Sequence, residues 1–198
     1  MPFPLKNNRD SIPQNKTIIR QAKTTDVSEL AEIVVSSFYD YSGILSWLNP
    51  LLQFTVSEDL RYRLRSNLPL YQCLVATLDR AAPASADRHQ SPIAGTVEIS
   101  LRTSFWSPSP QYPYVSNLAV KNIYRRRGIA RQLLDKCEQV AHSWGYDGIQ
   151  LHVLNQNNSA KQLYLDSGYK IIHKEPHWNG FFEPNSSRLL LRKKIFNS

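Results

Sequence analysis

The sequence has 198 residues, of which 41% are hydrophobic and 20% are charged. That composition is sufficient for a packed core, which excludes a globally disordered chain. No apolar run approaches the ~20 residues that a membrane-spanning helix needs. The formal net charge of +8 predicts an anionic partner, either a nucleic acid or a polyphosphate cofactor.

The N-terminal segment predicts a loose tail. Residues 1–16 are polar, contain proline and lack hydrophobic periodicity, and they lack the apolar core of a secretory signal. Cys73 and Cys137 fall within a predicted strand and a predicted helix without metal-ligand spacing, which favours two reduced core thiols. We therefore expect a cytoplasmic protein with a flexible tail over 1–16 and a single domain over 17–198.

Two helices are predicted early in the chain. Asp26 and Glu29 form a variant capping box, and apolar residues follow along one face of a helix. The Asn49–Pro50 pair marks a break. A second helix is predicted to begin at Ser57, a residue type favoured at helix N-caps, and to end at Pro69.

Two further helices and seven strands complete the predicted fold. The clearest helix runs from Gly128 to Trp144, and Gly145 supplies its C-terminal stop. A shorter helix covers 157–167. The predicted strands are Thr17–Arg20, Tyr71–Leu78, Ile93–Arg102, Tyr114–Val120, Ile149–Leu154, Tyr169–Lys174 and Arg188–Ile195. Because a meander precedes strand–helix–strand units, we expect an α/β (α+β) fold in which helices cover a mixed sheet.

The turn with the sequence RRRGIA, at 125–130, predicts an anion-binding site. Gly128 starts a helix, and the first backbone N–H groups of a helix have no intrahelical partner and lie at the positive end of its dipole. Glycine lets a phosphate approach the backbone, and arginines add charge. Neither the GxxxxGK[ST] nor the GxGxxG spacing is present, so a Walker loop and a dinucleotide fold are not indicated. On these six residues alone, a basic turn with a helix-starting glycine is the alternative.

With two other segments, this turn resembles the GCN5-related N-acetyltransferase (GNAT) family. YVSNLAV at 114–120 precedes the turn, and NxxAxxLYxxxGY at 157–169 follows it; IRxAxxxD at 19–26 matches the family's usual beginning. The resemblance covers about 17–195. PHWNGFF at 176–182, followed by RLLLRKKI, is similar to the plastid and cyanobacterial type, several of which acetylate protein N-termini and lysines.

The resemblance implies a GNAT fold, with about seven strands, about four helices and a V-shaped splay that receives acetyl-CoA as co-substrate, without a metal. Backbone groups of Leu118, Ala119 and Val120 would pair with the pantetheine arm, beside a bulge that opens the splay. The Val120 N–H would point at the thioester carbonyl, where negative charge grows. Asn157 would bind near the pantetheine end. The residues implied around the pyrophosphate are Arg125, Arg126, Arg127, Gly128, Ile129, Ala130 and Arg131.

The resemblance also implies catalytic residues. Tyr164 occupies the family's position for protonating the departing thiolate or hydrogen-bonding to it. Tyr114 and His152 match a tyrosine–histidine pair that acts as the general base in one branch of N-terminal acetyltransferases. A histidine near pKa ~6.5 suits an α-amine at ~7.7–8.0 better than a lysine at ~10.4. Glu98 is a second candidate base, acting through a water. The alternatives are a core tyrosine, ordinary strand side chains and, for Glu98, a solvated carboxylate or a partner of a nearby arginine.

The remaining candidate residues lie in less specific patterns. His173 and His177 lack the context of a metal site, which favours solvated histidines. Aromatic residues in two loops would rim the acceptor channel or cap the core. These aromatic residues are Phe105, Trp106, Trp178, Phe181 and Phe182.

Three hypotheses about function follow. The first is acetylation of protein N-terminal α-amines, and also of lysine side chains. The second is acetylation of a small amine, although the net charge of +8 disfavours polyamines because like charges repel. The third, a non-catalytic acyl-CoA-binding or nucleic-acid-associated regulator, is disfavoured by Tyr164 and the candidate base. We expect a monomer or homodimer without a membrane or nucleic-acid partner.

Overall fold

A computed structural model describes residues 16–38, 49–66, 68–79, 91–101, 111–176 and 187–195. The strands are β1 (Thr17–Gln21), β2 (Tyr71–Leu78), β3 (Ile93–Leu101), β4 (Pro113–Val120), β5 (Gly148–Leu154), β6 (Lys170–Pro176) and β7 (Ser187–Lys194). The helices are α1 (Val27–Phe38), α2 (Asn49–Arg65), α3 (Ile129–Ser143) and α4 (Asn158–Asp166). None of the helices in these ranges combines the length and apolar character needed to span a bilayer.

The seven strands form one mixed sheet in the order β1-β2-β3-β4-β5-β7-β6. β4 and β5 are parallel, and α3 provides the crossover between them, as parallel neighbours require. The other neighbouring strands are antiparallel. The mixed α/β fold predicted from the sequence is confirmed.

Both faces of the sheet centre are buried. Along β2, Leu74 and Ala76 pack in the cluster beneath α3, whereas Cys73 and Val75 pack in the cluster beneath α1 and α2. This alternation follows from the period of two along a strand. α3 buries one stripe of its surface, which comprises Ile129, Leu133, Leu134, Cys137, Val140 and Ala141. Both cysteines are free and buried, as predicted.

The prediction for α2 was wrong at both ends. The helix begins at Asn49, eight residues before the predicted Ser57, with Pro50 in its first turn, where the missing N–H costs nothing. It ends at Arg65 rather than at Pro69. Leu51 and Phe54 are exposed, so the first turns of α2 lack the apolar stripe that reveals a helix in a sequence.

The predicted capping box of Asp26 and Glu29 is also wrong. Asp26 lies in a 3-10 turn before α1, where it accepts hydrogen bonds from both Arg20 Nη atoms at 2.7 and 3.0 Å and from the Lys23 N–H at 2.7 Å. Glu29 accepts from the Ile93 N–H at 3.2 Å. Asp26 therefore caps the 3-10 turn through the Lys23 N–H and ties it to β1 through Arg20, while Glu29 ties α1 to β3 instead of completing a box with Asp26.

Candidate active site

A cleft opens where β4 and β5 separate. The two strands pair only at Tyr114–Gln150 and Val115–Leu151 within the described residues. Beyond that point they enclose a cavity of about 200 Å³. The cavity is lined by Val115, Ser116, Asn117, Leu118, His152, Val153, Leu154, Asn157, Ala160 and Tyr164. The splay predicted from the family resemblance is confirmed.

A bulge in β4 lies next to this separation. Thr96 pairs with Ala119 and Glu98 with Ser116, so two residues of β4, Asn117 and Leu118, lie opposite the single residue between Thr96 and Glu98. Asn117 has a φ of +52°, a left-handed conformation that asparagine tolerates better than most residues. Because a bulge bends and twists its strand, it turns β4 away from β5.

The backbone of Val120 faces the cleft side of β4. The next residue, Lys121, donates its N–H to the Ala94 carbonyl at 2.9 Å, so it points towards β3. Backbone groups alternate along a strand, so the N–H and carbonyl of Val120 point away from β3. The Val120 carbonyl accepts a hydrogen bond from Arg125 Nε at 3.1 Å, which agrees with this direction. An N–H at this position can meet an oxygen atom inside the cleft.

The structure brings Tyr114 and His152 together. The Tyr114 hydroxyl and His152 Nδ1 are 2.9 Å apart, and His152 lines the cleft. Tyr114 pairs with Gln150 across the parallel ladder, and His152 lies two residues further along β5. Both side chains therefore project from the same face of the sheet.

The cleft connects the two faces of the sheet. Register places Tyr114 on the same face as Glu98 and Cys73, beneath α1 and α2. Tyr164 reaches the cleft from α4 and packs in the opposite cluster, beneath α3. Groups on the two faces can therefore act on one reacting centre from opposite sides.

Tyr164 is 8% exposed, and its environment favours the neutral phenol. Burial raises the pKa of Tyr164 to about 12, and the neighbouring Tyr114 and Cys137 add to the rise. A thiol has an ordinary pKa of ~8.5, so full proton transfer from Tyr164 to a thiolate is uphill. Donating a hydrogen bond to the thiolate is the role that this environment supports.

The RRRGIA turn lies at the exposed N-terminus of α3. Gly128 caps the helix with a φ of +76°, and apart from its chain neighbours no atom of the described residues lies within 4 Å of where its Cβ would be. The backbone at this point is therefore open to an anion. The first residue of α3, Ile129, is buried in the core, so it can offer its backbone alone.

Other residues of the predicted cofactor set make additional contacts. Arg127 lies over the Tyr124 ring, with its guanidinium carbon 5.6 Å from the ring centroid. Arg131 donates to the Asp166 carbonyl at 2.7 Å. Asn157 caps α4, because its Oδ1 accepts from the Ala160 N–H at 3.0 Å. The amide nitrogen of Asn157 is then the group suited to contact a cofactor.

Glu98 is an arginine partner rather than a solvated carboxylate. It is 1% exposed and forms an ion pair with Arg63 of α2. It also accepts hydrogen bonds from the Tyr71 hydroxyl at 2.9 Å and from Asn117 Nδ2 at 2.7 Å. These donors tie Glu98 to the bulge and to α2, and a role as a base through water stays a prediction.

Sequence reasoning missed Glu175 and Arg188. Glu175 Oε2 lies 3.4 Å from His152 Nε2, and Arg188 donates to the same oxygen at 2.7 Å. Their strands are separated in the chain by 177–186, so no short-range pattern could reveal the contact. The bulge at Asn117 could in principle have been predicted from the sequence, because asparagine is depleted within strands and tolerates left-handed conformations.

Several predicted residues do not join the cleft. His173 is exposed on β6, and His177 lies outside the described residues. The described part of the chain gathers no group of three or more His, Cys, Asp or Glu residues suited to a metal. The aromatic residues Phe105, Trp106, Trp178, Phe181 and Phe182 also lie outside the described ranges, as does all of the predicted tail except its last residue, Lys16.

Comparison with known proteins agrees with this geometry. The chain is 28% identical over 149 residues to GCN5-related N-acetyltransferase 10, chloroplastic, of Arabidopsis thaliana. This alignment covers 72% of this chain and 57% of the relative. It is 27% identical over 178 residues to the thialysine N-epsilon-acetyltransferase of Sus scrofa, covering 89% of this chain and 98% of that protein. The chain thus spans little more than half of the Arabidopsis relative.

A solved structure of yncA from Salmonella typhimurium with its cofactor acetyl-CoA superposes with a TM-score of 0.66 at 16% identity. The match covers 93% of this chain and 96% of that one, and at this identity it shows the fold alone. The model of the acetyltransferase (GNAT) family matches residues 41–169, which is more than half of the chain. The predicted family is confirmed: the chain belongs to the acetyltransferase (GNAT) family.

Proposed function

We propose that this protein is an acetyl-CoA-dependent N-acetyltransferase whose acceptor is a primary amine, chiefly a protein N-terminal α-amine and also lysine side chains. One observation carries the proposal. The Tyr114 hydroxyl lies 2.9 Å from His152 Nδ1, beside a cleft that Tyr164 lines from the other face of the sheet. This arrangement provides a base on one side of a reacting centre and a hydrogen-bond donor on the other.

The residues around the cleft fit acetyl-CoA, which supplies the acetyl group as a thioester. β4 is unpaired with β5 beyond Val115 in the described register, so Leu118 and Val120 offer strand-like hydrogen bonds to a pantetheine arm. The open backbone at Gly128 and the exposed Arg125 and Arg126 suit a pyrophosphate. The yncA structure with acetyl-CoA shares this fold and supports the assignment.

The Tyr114–His152 pair would make the acceptor amine nucleophilic. An amine attacks a carbonyl only as the neutral base, and free α-amines at ~7.7–8.0 are partly protonated at neutral pH. The neutral amine loses one proton as its nitrogen bonds to the thioester carbon and the thiolate leaves. The Tyr114 oxygen can take that proton as its own proton passes to His152 Nδ1, and the free thiolate takes a proton from water. This route keeps the buried tyrosine uncharged.

Two groups would stabilise charge as the acetyl group moves. The Val120 N–H points away from β3, towards the side of β4 on which the cleft opens, where it would donate to the carbonyl oxygen as negative charge develops. Tyr164 can donate its hydroxyl proton in a hydrogen bond to the departing thiolate. Neither group needs to change its protonation state.

The second candidate function is acetylation of a small amine that carries a lysine-like side chain. The thialysine N-epsilon-acetyltransferase relative aligns over 98% of its own length, so its acceptor is a specific alternative. A peptide backbone on the acceptor distinguishes the two candidates. A protein acetyltransferase requires it and an enzyme for small amines does not.

Mass spectrometry of a peptide library incubated with the full chain and acetyl-CoA tests the proposal. We expect acetylated N-termini, with lysine products at lower yield. Thialysine and free lysine are incubated in parallel. Acetylation of these amines without any peptide product would replace the first candidate by the second.

A thiol-release assay with variants tests the catalytic residues. His152→Ala and Tyr114→Phe should each lower kcat at least tenfold, as general-base catalysis contributes about 10²–10⁴-fold. His142→Ala, on α3, and Tyr62→Phe, on the exposed side of α2, are matched controls that should retain wild-type turnover. Cofactor binding without turnover in the wild type would instead support a regulator.

A further inference from the structure

We infer that Glu175 is a positioning residue for His152, holding the imidazole with Nε2 protonated so that Nδ1 receives the Tyr114 proton. The inference rests on the proposed function, because it extends the same acid–base pair by one residue. It adds a residue on the edge strand β6 to a site otherwise built on β4, β5 and α4.

Strand register places the three side chains on one face. Glu175 on β6 pairs directly with Arg188 on β7, and Arg188 pairs directly with Leu154 on β5. His152 lies two residues before Leu154, so it projects from the same face as Glu175 and Arg188. Neighbours on one face of adjacent strands are within side-chain reach of each other.

The distances agree with that register. His152 Nε2 lies 3.4 Å from Glu175 Oε2, which is an ion-pair distance and slightly longer than an ordinary hydrogen bond. Arg188 approaches the same oxygen through Nε and Nη2, each at 2.7 Å. The guanidinium thereby fixes the carboxylate of Glu175, which is 28% exposed, against the imidazole, which is 19% exposed. A carboxylate held this way is a fixed acceptor rather than a mobile surface group.

The charge state of Glu175 decides the tautomer of His152. Burial raises the pKa of Glu175. The hydrogen bond and positive charge of Arg188 lower it, and His152 lowers it further, so the pKa of Glu175 lies below its ordinary value. An ionised carboxylate can only accept hydrogen bonds, so the proton of a neutral imidazole lies on Nε2. Nδ1 then presents its lone pair to the Tyr114 hydroxyl, which must donate.

This tautomer is the one that the acid–base route needs. As the amine gives its proton to the Tyr114 oxygen, the Tyr114 proton moves to His152 Nδ1, and the resulting imidazolium is stabilised by the negative charge of Glu175. The proton leaves Nδ1 for water after the reaction. An aspartate that orients a catalytic histidine in serine proteases follows the same logic.

Nuclear magnetic resonance of the ¹⁵N-histidine-labelled full chain reads the tautomer without any substrate. The His152 signal is identified by its loss in His152→Ala. We expect the neutral ring of the wild type to carry its proton on Nε2, and Glu175→Ala to lose that preference. A wild-type ring protonated on Nδ1, or an unchanged tautomer in Glu175→Ala, would overturn the inference.

Steady-state kinetics provides the second measurement. Glu175→Gln should lower kcat about tenfold to a hundredfold, as loss of an orienting partner does at other sites, with the KM for acetyl-CoA within about twofold. Arg188→Gln, which leaves the carboxylate in place, should cause a smaller loss. Glu58→Gln is the matched control, because it removes an exposed carboxylate–arginine pair with Arg61 and should retain the wild-type kcat.

The variants separate this inference from the proposed function. If His152→Ala lowers turnover and Glu175→Gln does not, the positioning role of Glu175 is wrong and the base is retained. If His152→Ala has wild-type turnover, the base assignment itself fails, whatever Glu175 does. Thermal unfolding of each variant shows that a lost rate does not come from a lost fold.

Discussion

Asn117 Nδ2 donates a hydrogen bond to Glu98 Oε1 at 2.7 Å, and this contact joins the bulge of β4 to the interior of the protein. Asn117 is the bulge residue with a φ of +52°. Glu98 also holds the guanidinium of Arg63, so the same carboxylate connects the bulge to α2. The cleft between β4 and β5 therefore has its shape supported from the face that carries α2.

Glu98→Ala should destabilise the fold by roughly 3 kcal/mol, because Arg63 would remain partly buried without its main countercharge. The free energy of unfolding in urea measures this loss. Asp59→Asn removes the other, exposed carboxylate beside Arg63 and should cost less than about 1 kcal/mol. Equal losses in the two variants would show that Glu98 is not the principal partner.

Gly95→Ala should distort β4 next to the bulge. A Cβ at Gly95 would lie 2.7 Å from the Ala119 carbonyl oxygen and 3.1 Å from Val120 Cγ2. Since a backbone atom must move to relieve the clash, we expect the free energy of unfolding to fall by about 1–3 kcal/mol and the KM for acetyl-CoA to rise.

Gly145→Ala is the control for Gly95→Ala. Gly145 has a φ of +83°, and apart from its chain neighbours no atom in the described part of the chain lies within 4 Å of its Cβ position. Alanine there is therefore strained by about 1–2 kcal/mol without touching β4. Its KM for acetyl-CoA should match the wild type. An unchanged KM in Gly95→Ala as well would mean that the Ala119–Val120 backbone does not bind the cofactor.

The sequence predicts elements best where one face of the element is buried. α3 was predicted to within one residue at each end, and both ends of β2 were predicted correctly. Both elements pack apolar residues against the core, and these residues recur in the sequence where the element requires them. The start of α2 was missed because its apolar residues do not share one face: Leu51 and Phe54 are exposed, whereas Val56 packs against the core. Apolar periodicity reports burial, so an element with little burial leaves little signal.

Only those site residues that belong to local sequence motifs could be predicted. Tyr114, His152 and Tyr164 belong to recognisable segments, whereas the contact of Glu175 with His152 requires β7 to insert between β5 and β6. That strand order is a property of the whole sheet and leaves no mark on the sequence near Glu175. The arginine that pairs with Glu98 could not be identified for the same reason, since Arg63 lies on a helix far away in the chain.

Stability should decrease in acid through Asp26. Burial raises the pKa of Asp26, but hydrogen bonds from Arg20 and the Lys23 N–H and the charges of both residues lower it more, so its folded pKa is below the ordinary ~3.9. A lowered folded pKa stabilises the protein above the unfolded value, and this stabilisation is lost as pH falls through the folded value. The difference in free energy of unfolding between wild type and Asp26→Asn should therefore shrink below about pH 4.

Urea unfolding at several pH values measures that difference, and Arg20→Gln is its partner variant. Removing Arg20 takes away the strongest interaction that lowers the pKa of Asp26, so the acid sensitivity of Arg20→Gln should also be smaller than that of the wild type. A wild-type to Asp26→Asn difference that stays constant from neutral to acid pH would contradict the assigned role of Asp26.

Tyr164→Phe should lower kcat about tenfold or more, with little change in the KM for acetyl-CoA, because the lost hydroxyl acts on the thiolate as it departs. Tyr62→Phe, which alters an exposed tyrosine on α2, is the control and should leave kcat unchanged.

Burial raises the pKa of Tyr164 to about 12, so the phenol stays a donor across the pH range of the assay. The tyrosinate absorbance of wild type minus Tyr164→Phe should accordingly show no ionisation below about pH 11. If Tyr164 instead ionises near its ordinary ~10, proton transfer to a thiolate at ~8.5 is uphill by only about 1.5 pKa units, and a role limited to hydrogen bonding must be revised.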